Sequence, residues 1–397
     1  MKVLHIIPSI ARVRGGPSQN TLEIVKALRK YGIDAEIATT NDNGPDVLDV
    51  PLCQRCEYEQ VPVWFFPRFS PPIKLLREFS FSSQLTSWLW QYGSQYDLLH
   101  VRTLFSYAPT VAMMIARIKH LNYIVEPHGL LCQWSLQQSR LKKQIFLTLI
   151  ERANLNRSLA LRFSSAQEQQ EVCELNLRPS TFVLPHGLTI PELIPDARKQ
   201  LRELLQVPAD RPVILFMSRL HPKKGLDYLI PALGKLSHQQ FSFVVAGSGT
   251  PEYEAEVEAL LVAAGIRDRT YLPSFVLDRT KAIFLQGADL FALTSHSENF
   301  GVAVLEAMAA GVPVLTTPGV ALAPVVAQNQ LGYITELNIS AIAASLERWL
   351  DEPQQAKKMG DRARELVVEK YALDRVALNL KHAYTAILKQ EAIPAIY

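Results

Sequence analysis

The chain has 397 residues, more than one core usually holds, and at about 150 residues per domain it should form two or three domains. Its 41 Lys+Arg against 38 Asp+Glu leave a formal charge of +3, too small to indicate a nucleic-acid partner on charge alone. A charged share of 20% fits an ordinary soluble globular protein, and four cysteines in this length exclude a disulfide framework and fit a reducing compartment.

In chain order, the first apolar run is short, contains His5 and Pro8 and runs into Arg12 and Arg14. It reads as a buried strand, Val3–Ile7, rather than a secretory leader. Gly15 and Gly16 follow, then a helical pattern over Ser18–Lys30. Further strands are predicted at Ala35–Thr40, Val61–Phe66, Asp97–Val101, Tyr123–Glu126, Leu161–Ser164 and Phe182–Leu184, with helices at Ser82–Tyr92, Ala108–Lys119 and Gln137–Asn156. Cys53 and Cys56 have ligand-like spacing, but no second Cys or His pair lies near, so they read as two unrelated thiols.

The stretch Val63–Phe79 mixes aromatic, aliphatic and basic residues, among them Arg68, Lys74 and Arg77. It reads either as a patch that docks on a membrane carrying a lipid-linked acceptor, or as a strand and loop packed on the core. Arg140 to Lys143 would add to such a patch only from the same face. No run approaches 18 uninterrupted apolar residues, so no membrane span is expected. The expected location is the cytoplasm, with any membrane contact peripheral and at the inner face.

In the second half, Val213–Met217, Phe241–Ala246, Asp289–Leu293 and Pro313–Thr316 are continuous apolar runs, the pattern of parallel strands covered on both faces. The Pro-marked stretch from Leu188 has neither helical nor strand period and is placed as a linker. Two helices, Gln354–Lys370 and Asp374–Lys389, close the chain. The expected fold class is α/β, two facing Rossmann-like doubly wound domains with a helical tail. Expected boundaries are 1–187 for an acceptor-side domain, 188–196 for the linker, 197–372 for a nucleotide-sugar-binding domain and 373–397 for a helix packing back toward the first.

Ligands in open parallel sheets bind beyond the carboxyl ends of the strands, and the second-half loops at those positions are rich in chemistry. After Met217 come Ser218, Arg219, Lys223, Lys224 and Gly225 at a helix start, where two cations could neutralise a diphosphate, although a solvated basic turn has the same composition. Gly247 and Gly249 after Ala246 are a weak signal that a plain tight turn also explains. The strongest signal is the loop Thr294–Gly301, with Ser295, Glu298, Asn299 and Phe300, followed by a helix whose single charge is Glu306. A carboxylate in an otherwise apolar helix needs a partner, and ribose hydroxyls or a buried salt bridge would both serve. Eight residues separate Glu298 from Glu306, about 12 Å if wholly helical, the span of a nucleotide sugar.

Glu298, seven intervening residues and Glu306, ending in Ala310, Gly311, Val312, Pro313 and Val314, closely resemble the signature of the family-4 retaining glycosyltransferases of GT-B fold. Arg219 to Gly225, the Gly247–Gly249 turn, Gly15 with Gly16, and His128 with Gly129 match the same family in order. Pro185-His186-Gly187 resembles its Pro-Asn-Gly, with His186 in place of Asn.

The resemblance implies that Arg219 and Lys224 bind the donor diphosphate and stabilise the leaving nucleotide. It implies that Glu306 holds the ribose, and that Glu298 with the backbone of Asn299, Phe300 and Gly301 holds the donor sugar. Ser295, Gly247 and Gly249 would belong to the same donor site, and Gly15 and Gly16 would let the backbone approach the phosphates. His128 would face the sugar and position it or stabilise developing charge. The implied reaction moves a sugar from a UDP- or GDP-linked donor to a hydroxyl of a saccharide or lipid-linked saccharide, with retention, in polysaccharide, lipopolysaccharide or glycolipid assembly. No Asp-x-Asp is present, so the expectation is metal independence and no cofactor beyond the nucleotide sugar as co-substrate, with no nucleic-acid partner. A nucleotide-sugar epimerase would need a further acid/base set, and a non-catalytic sugar-nucleotide binder would hold the donor without turnover. A dehydrogenase is excluded because no Gly-x-Gly-x-x-Gly follows the first strand.

Overall fold

The structure is a computed structural model and describes residues 1–71, 73 and 77–394. It divides into two compact units, Met1–Thr189 with Leu373–Tyr397, and Ile190–Ala372.

The first unit is built on strands β1 (Lys2–Ile6), β2 (Asp34–Thr40), β3 (Asp42–Asn43), β4 (Asp46–Val47), β5 (Arg55–Tyr58), β6 (Val61–Phe66), β7 (Leu98–Arg102), β8 (Tyr123–Glu126), β9 (Ala160–Phe163) and β10 (Ser180–Val183). Eight of them form one sheet in the order β10-β9-β8-β7-β1-β2-β6-β5, parallel except for β5 at the edge. Successive residues feed opposite faces: Val3 packs with Leu22, Val25 and Leu28, while Leu4 and Ile6 pack with Trp88, Met113 and Phe163. Both faces are therefore apolar, which explains strands that read as continuous apolar runs rather than alternating ones.

The last helix, Leu373–Lys389, buries Val376, Ala377, Leu380, Ala383, Tyr384 and Ile387 on one stripe in the same core as Val3 and Leu28. That spacing is one face of a 3.6-residue period. Its start is fixed by Leu373 N–H donating to Leu188 O at 2.9 Å, and a Cβ on Gly187 would lie 2.9 Å from the Leu373 Cα.

The second unit has β11 (Val213–Met217), β12 (Ser242–Ala246), β13 (Thr270–Ser274), β14 (Leu290–Leu293), β15 (Val314–Thr316) and β16 (Gly332–Ile334). They form an all-parallel sheet in the order β13-β12-β11-β14-β15-β16. Neighbouring strands diverge in sequence order at β1/β7 in the first unit and at β11/β14 in the second, and these switch points are where ligand crevices open.

Two expectations change. The helix expected over Gln137–Asn156 is interrupted: Ser139 is left-handed at φ 56, and Leu147–Glu151 forms a π-turn before Arg152–Leu155. The wider turn accompanies burial of Glu151, whose carboxylate accepts from Thr110 Oγ1 at 2.7 Å and Asn154 Nδ2 at 3.2 Å. The segment Val63–Phe79 divides as well. Val63, Phe65 and Phe66 are core residues of β6, and buried Arg68 pairs with Asp42, whereas Phe69 and Ile73 are each 58% exposed. Lys74 of the same segment lies outside the described residues. Cys53 and Cys56 are free thiols.

Candidate functional site

In the second unit, the loop leaving β11 turns through a short 3-10 segment, Pro222–Lys224, and Gly225 starts the helix Leu226–Lys235. Gly225 is left-handed at φ 72, and a Cβ there would sit 2.0 Å from the Thr294 carbonyl oxygen. Thr294 Oγ1 donates to Gly225 O at 2.9 Å and His296 N–H to Lys223 O at 2.9 Å. The loops after β11 and β14 are thus laced together through backbone, and only glycine fits the crossing.

Gly247 and Gly249 serve the same packing. A Cβ on Gly247 would come within 1.9 Å of Ser218 O, one on Gly249 within 2.7 Å of Leu220 O, and Leu220 N–H donates to Ser248 O at 2.9 Å. These two glycines let the turn after β12 press against the loop that carries Arg219.

On this frame Lys224 Nζ lies 2.5 Å from Glu298 Oε1, and Ser295 Oγ donates to the same oxygen at 3.0 Å. Arg219 is exposed and makes no side-chain hydrogen bond or salt bridge among the described residues. In the same turn, partial burial together with Arg219, Lys224 and Lys223 lowers the pKa of His221 from its ordinary value.

Glu298 is extended rather than helical. It bridges to Val320, with its N–H donating to Gly319 O at 2.8 Å, and the helix begins only at Val302 after left-handed Gly301. The separation of Glu298 and Glu306 is therefore only partly helical. Val304, Leu305, Ala307, Met308 and Ala309 are buried, but Glu306 keeps 19% side-chain exposure and pairs with Lys281 Nζ at 2.6 Å. Lys281, unmarked in the sequence reading, is the salt-bridge partner that the apolar helix demanded. Phe300 is buried against Tyr371, with ring centroids 6.3 Å apart.

In the first unit, Gly15 has φ 81 and ψ −149, a backbone that favours glycine, and, with Gly16, has open space where a Cβ would lie. His128 follows β8 in a left-handed conformation, φ 52, with Gly129 at φ 74. The Gly129 N–H donates to buried Glu168 at 2.6 Å, and the other carboxylate oxygen of Glu168 accepts from Ser164 N–H and Oγ at 2.9 and 2.8 Å.

Behind His128 lies a buried ionic cluster centred on Glu126. Its Oε2 is 2.7 Å from Arg162 Nη1, 3.0 Å from Arg102 Nη2 and 3.3 Å from His100 Nε2; its Oε1 is 3.5 Å from His128 Nε2 and 3.9 Å from His186 Nδ1. The rings of His128 and His186 stack at 5.4 Å. His100 Nδ1 meets Tyr384 Oη of the last helix at 2.6 Å, and that hydroxyl lies 3.4 Å from His5 Nε2. Burial opposes the Glu126 charge, but Arg102 and Arg162 outweigh it and hold the carboxyl well below its usual range. Burial lowers the imidazoles, His100 to about 4 and His186 to about 3.

Glu126, His128 and His186 offer three ligand-type atoms within 4.8 Å of one another. Two guanidiniums on one carboxylate already leave the spot net positive, which opposes a divalent cation there. The sequence reading missed this cluster. Its signal was a charge inside two of the expected strands, Glu126 and Arg162, and Arg102 directly after a third, Asp97–Val101, since buried charges come paired.

A concavity lined by Met1, Tyr96, Asp97, His120, Leu121 and Asn122 sits before the strands, at the ends away from these loops. Parallel sheets carry their chemistry at the other end.

Two units, each on a doubly wound and mainly parallel sheet, are the architecture of the GT-B fold. The superpositions agree: the crystal structure of Anabaena Alr3699/HepE in complex with UDP and glucose matches with TM-score 0.78 at 20% identity, over 97% of this chain and 100% of that one. A sucrose-phosphate synthase from Thermosynechococcus elongatus matches with TM-score 0.80 at 19% identity, over 98% and 100%.

Residues 197–366 match the family described as glycosyl transferases group 1, and residues 15–187 match the glycosyl transferase 4-like domain. Residues 197–366 thus belong to the group 1 glycosyl transferases and residues 15–187 to the glycosyl transferase 4-like domains. Among curated relatives, a D-inositol 3-phosphate glycosyltransferase of Xylanimonas cellulosilytica is 36% identical over 161 residues, 39% of each chain. An alpha-D-kanosaminyltransferase of Streptomyces kanamyceticus is 28% identical over 193 residues, 48% of this chain and 49% of that one. The matched stretches thus span less than half the length of those relatives.

Proposed function

We propose that this protein transfers a glycosyl group from a nucleoside-diphosphate sugar to an acceptor hydroxyl with retention of configuration. The observation that carries the reading is the joined loop pair of the second unit. It places exposed Arg219 and the Lys224–Glu298 pair beyond the carboxyl ends of β11 and β14, with Glu306 on the helix that follows and paired to Lys281.

Departure of a nucleoside diphosphate leaves negative charge on the phosphate and positive charge on the sugar. Arg219 and Lys224 stabilise the first, acting where a metal would otherwise be needed. Glu298 accepts from the sugar hydroxyls and Glu306 from the ribose. Gly15 and Gly16 admit a phosphate close to the backbone, and His128 addresses the sugar. The acceptor is a saccharide or lipid-linked saccharide in polysaccharide or glycolipid assembly. UDP is the first base to test, because the superposed Anabaena HepE structures hold UDP and UDP-glucose; GDP is the second.

Contact with a membrane surface is peripheral in this reading. No helix of the described residues is long and apolar enough to cross a membrane. Leu141, Ile145 and Leu149, exposed by 71%, 51% and 73%, recur every four residues beside Arg140 and Lys142. Apolar side chains flanked by cations suit an anionic lipid surface.

The test is thermal stabilisation by UDP-, GDP- and ADP-sugars with and without EDTA, followed by acceptor-dependent release of nucleotide. Ligand at about 100 times its Kd should add roughly 2.7 kcal/mol. A protein that no nucleotide sugar stabilises is not this enzyme, and one stabilised without turnover on any acceptor is a binder.

A further inference from the structure

The direction of one buried hydrogen bond fixes more about His128 than its position. Arg102 Nε–H points at His128 Nε2 across 3.3 Å. The guanidinium cannot swing away: its Nη2 donates to Asn20 Oδ1 at 2.7 Å and lies 3.0 Å from Glu126 Oε2. Arginine is always a donor and never gives up its proton in a protein, so the nitrogen facing Nε–H must offer a lone pair. A proton on His128 Nε2 would set donor against donor in a buried place. The competing arrangement, Nε2–H donating to Glu126 Oε1, is longer at 3.5 Å.

We infer that Arg102 is a positioning residue that holds His128 as the neutral tautomer protonated on Nδ1. The imidazole then presents a hydrogen-bond donor through Nδ1 and cannot serve as a base there. This rests on the reading that His128 addresses the donor sugar, and it makes the contact a donation to a sugar oxygen.

The groups around the ring favour the same state. Glu126 carries one negative charge against the positive charges of Arg102 and Arg162, and His186 stacks on the other face. Behind Gly129 stands Glu168, whose own carboxyl is pushed up by burial. A proton on His128 would add a second uncompensated positive charge to a buried cluster. Burial, with Arg102, His186 and Arg162, accordingly holds its pKa well below 6.5, against the pull of Glu126.

The experiment is long-range proton–nitrogen correlation NMR on ligand-free protein labelled with nitrogen-15 histidine, with the His128 signals assigned by their loss in His128→Gln. The expected spectrum has a protonated Nδ1 and a bare Nε2, unchanged between about pH 5.5 and 8. In Arg102→Gln the proton should move toward Nε2 and kcat fall about tenfold or more, with donor KM moving less. A protonated Nε2 in the wild type, or titration of His128 within that range, overturns the inference. So does an Arg102→Gln protein that folds and keeps the wild-type tautomer. The wild-type spectrum needs no substrate, so it is decided separately from whether any nucleotide sugar binds.

Discussion

Lys224 Nζ and Glu298 Oε1 are 2.5 Å apart, tying the loop that follows β11 to the loop that follows β14. The cation assigned to the leaving phosphate and the carboxylate assigned to the sugar thus orient each other before any ligand arrives. Their side chains are 14% and 17% exposed, so the pair is partly screened, and its coupling in a double-mutant cycle of stability should be about 1 kcal/mol. Its effect on turnover should be far larger. Lys224→Ala should lower kcat/KM by roughly a hundredfold or more, because a fixed donor aimed at developing charge is lost. Steady-state kinetics beside urea unfolding separates the two; equal losses in both would make the pair merely structural.

Glu306 and Lys281 form the second pair, at 2.6 Å and with 19% and 34% side-chain exposure. Glu306→Ala should cost the free protein about 1 kcal/mol or less, the usual worth of a screened pair. The same variant should lose most of the melting-temperature rise given by nucleotide sugar. Free UDP in place of the sugar nucleotide should show the same loss, since the assigned contact is to ribose.

Gly225→Ala should be severely destabilising. The new methyl would meet the Thr294 carbonyl at 2.0 Å on a backbone at φ 72, so both strain and a clash with main chain arise. A cost of about 2 kcal/mol or more is expected in chemical unfolding. Gly15→Ala, with open space around its Cβ but a backbone at φ 81 and ψ −149 that side-chain-bearing residues avoid, should cost stability through backbone strain alone, without a clash.

Acid should unfold the first unit early. His100 and His186 have ordinary pKa values near 6.5 but about 4 and 3 when folded, and His5 and His128 are lowered too, all chiefly by burial. Between 6.5 and about 4 the unfolded chain binds protons that the folded unit refuses. Stability present above pH 6.5 is therefore lost as the pH falls, by up to about 1.4 kcal/mol per unit for each imidazole. Glu126, depressed in the fold, adds a further loss only below its unfolded value, about pH 4.3. Urea midpoints at pH 7.5 and 5.5 should differ strongly, and the double variant His100→Asn, His186→Asn should flatten the difference if it folds.

Tyr384→Phe probes the same cluster from the last helix. It leaves the buried His100 Nδ1 without the hydroxyl 2.6 Å away, so a loss of about 1–3 kcal/mol is expected, with little change in the chemistry of the second-unit loops. Nucleotide binding measured under folding conditions should be near wild type.

What the sequence by itself determined was whatever depends on local period and local chemistry. Continuous apolar runs located β6, β8 and β11 to the residue, because strands covered on both faces need no polar alternation. The charged loops after β11 and β14 stood out for the same reason, as polar residues between runs that had to be buried. The short edge strand Arg55–Tyr58 escaped because only one side of it is paired and its residues alternate in exposure.

Only the tertiary structure decided the partners. Lys281 meets Glu306 from 25 residues away, and Tyr384 reaches His100 across 284. No local pattern encodes such meetings, since they follow from how helices and strands distant in the chain pack together. The cluster of Arg102, Glu126 and Arg162 exists because β7, β8 and β9 are neighbours, so two guanidiniums from the flanking strands meet on the one carboxylate between them and leave the cluster one positive charge in excess.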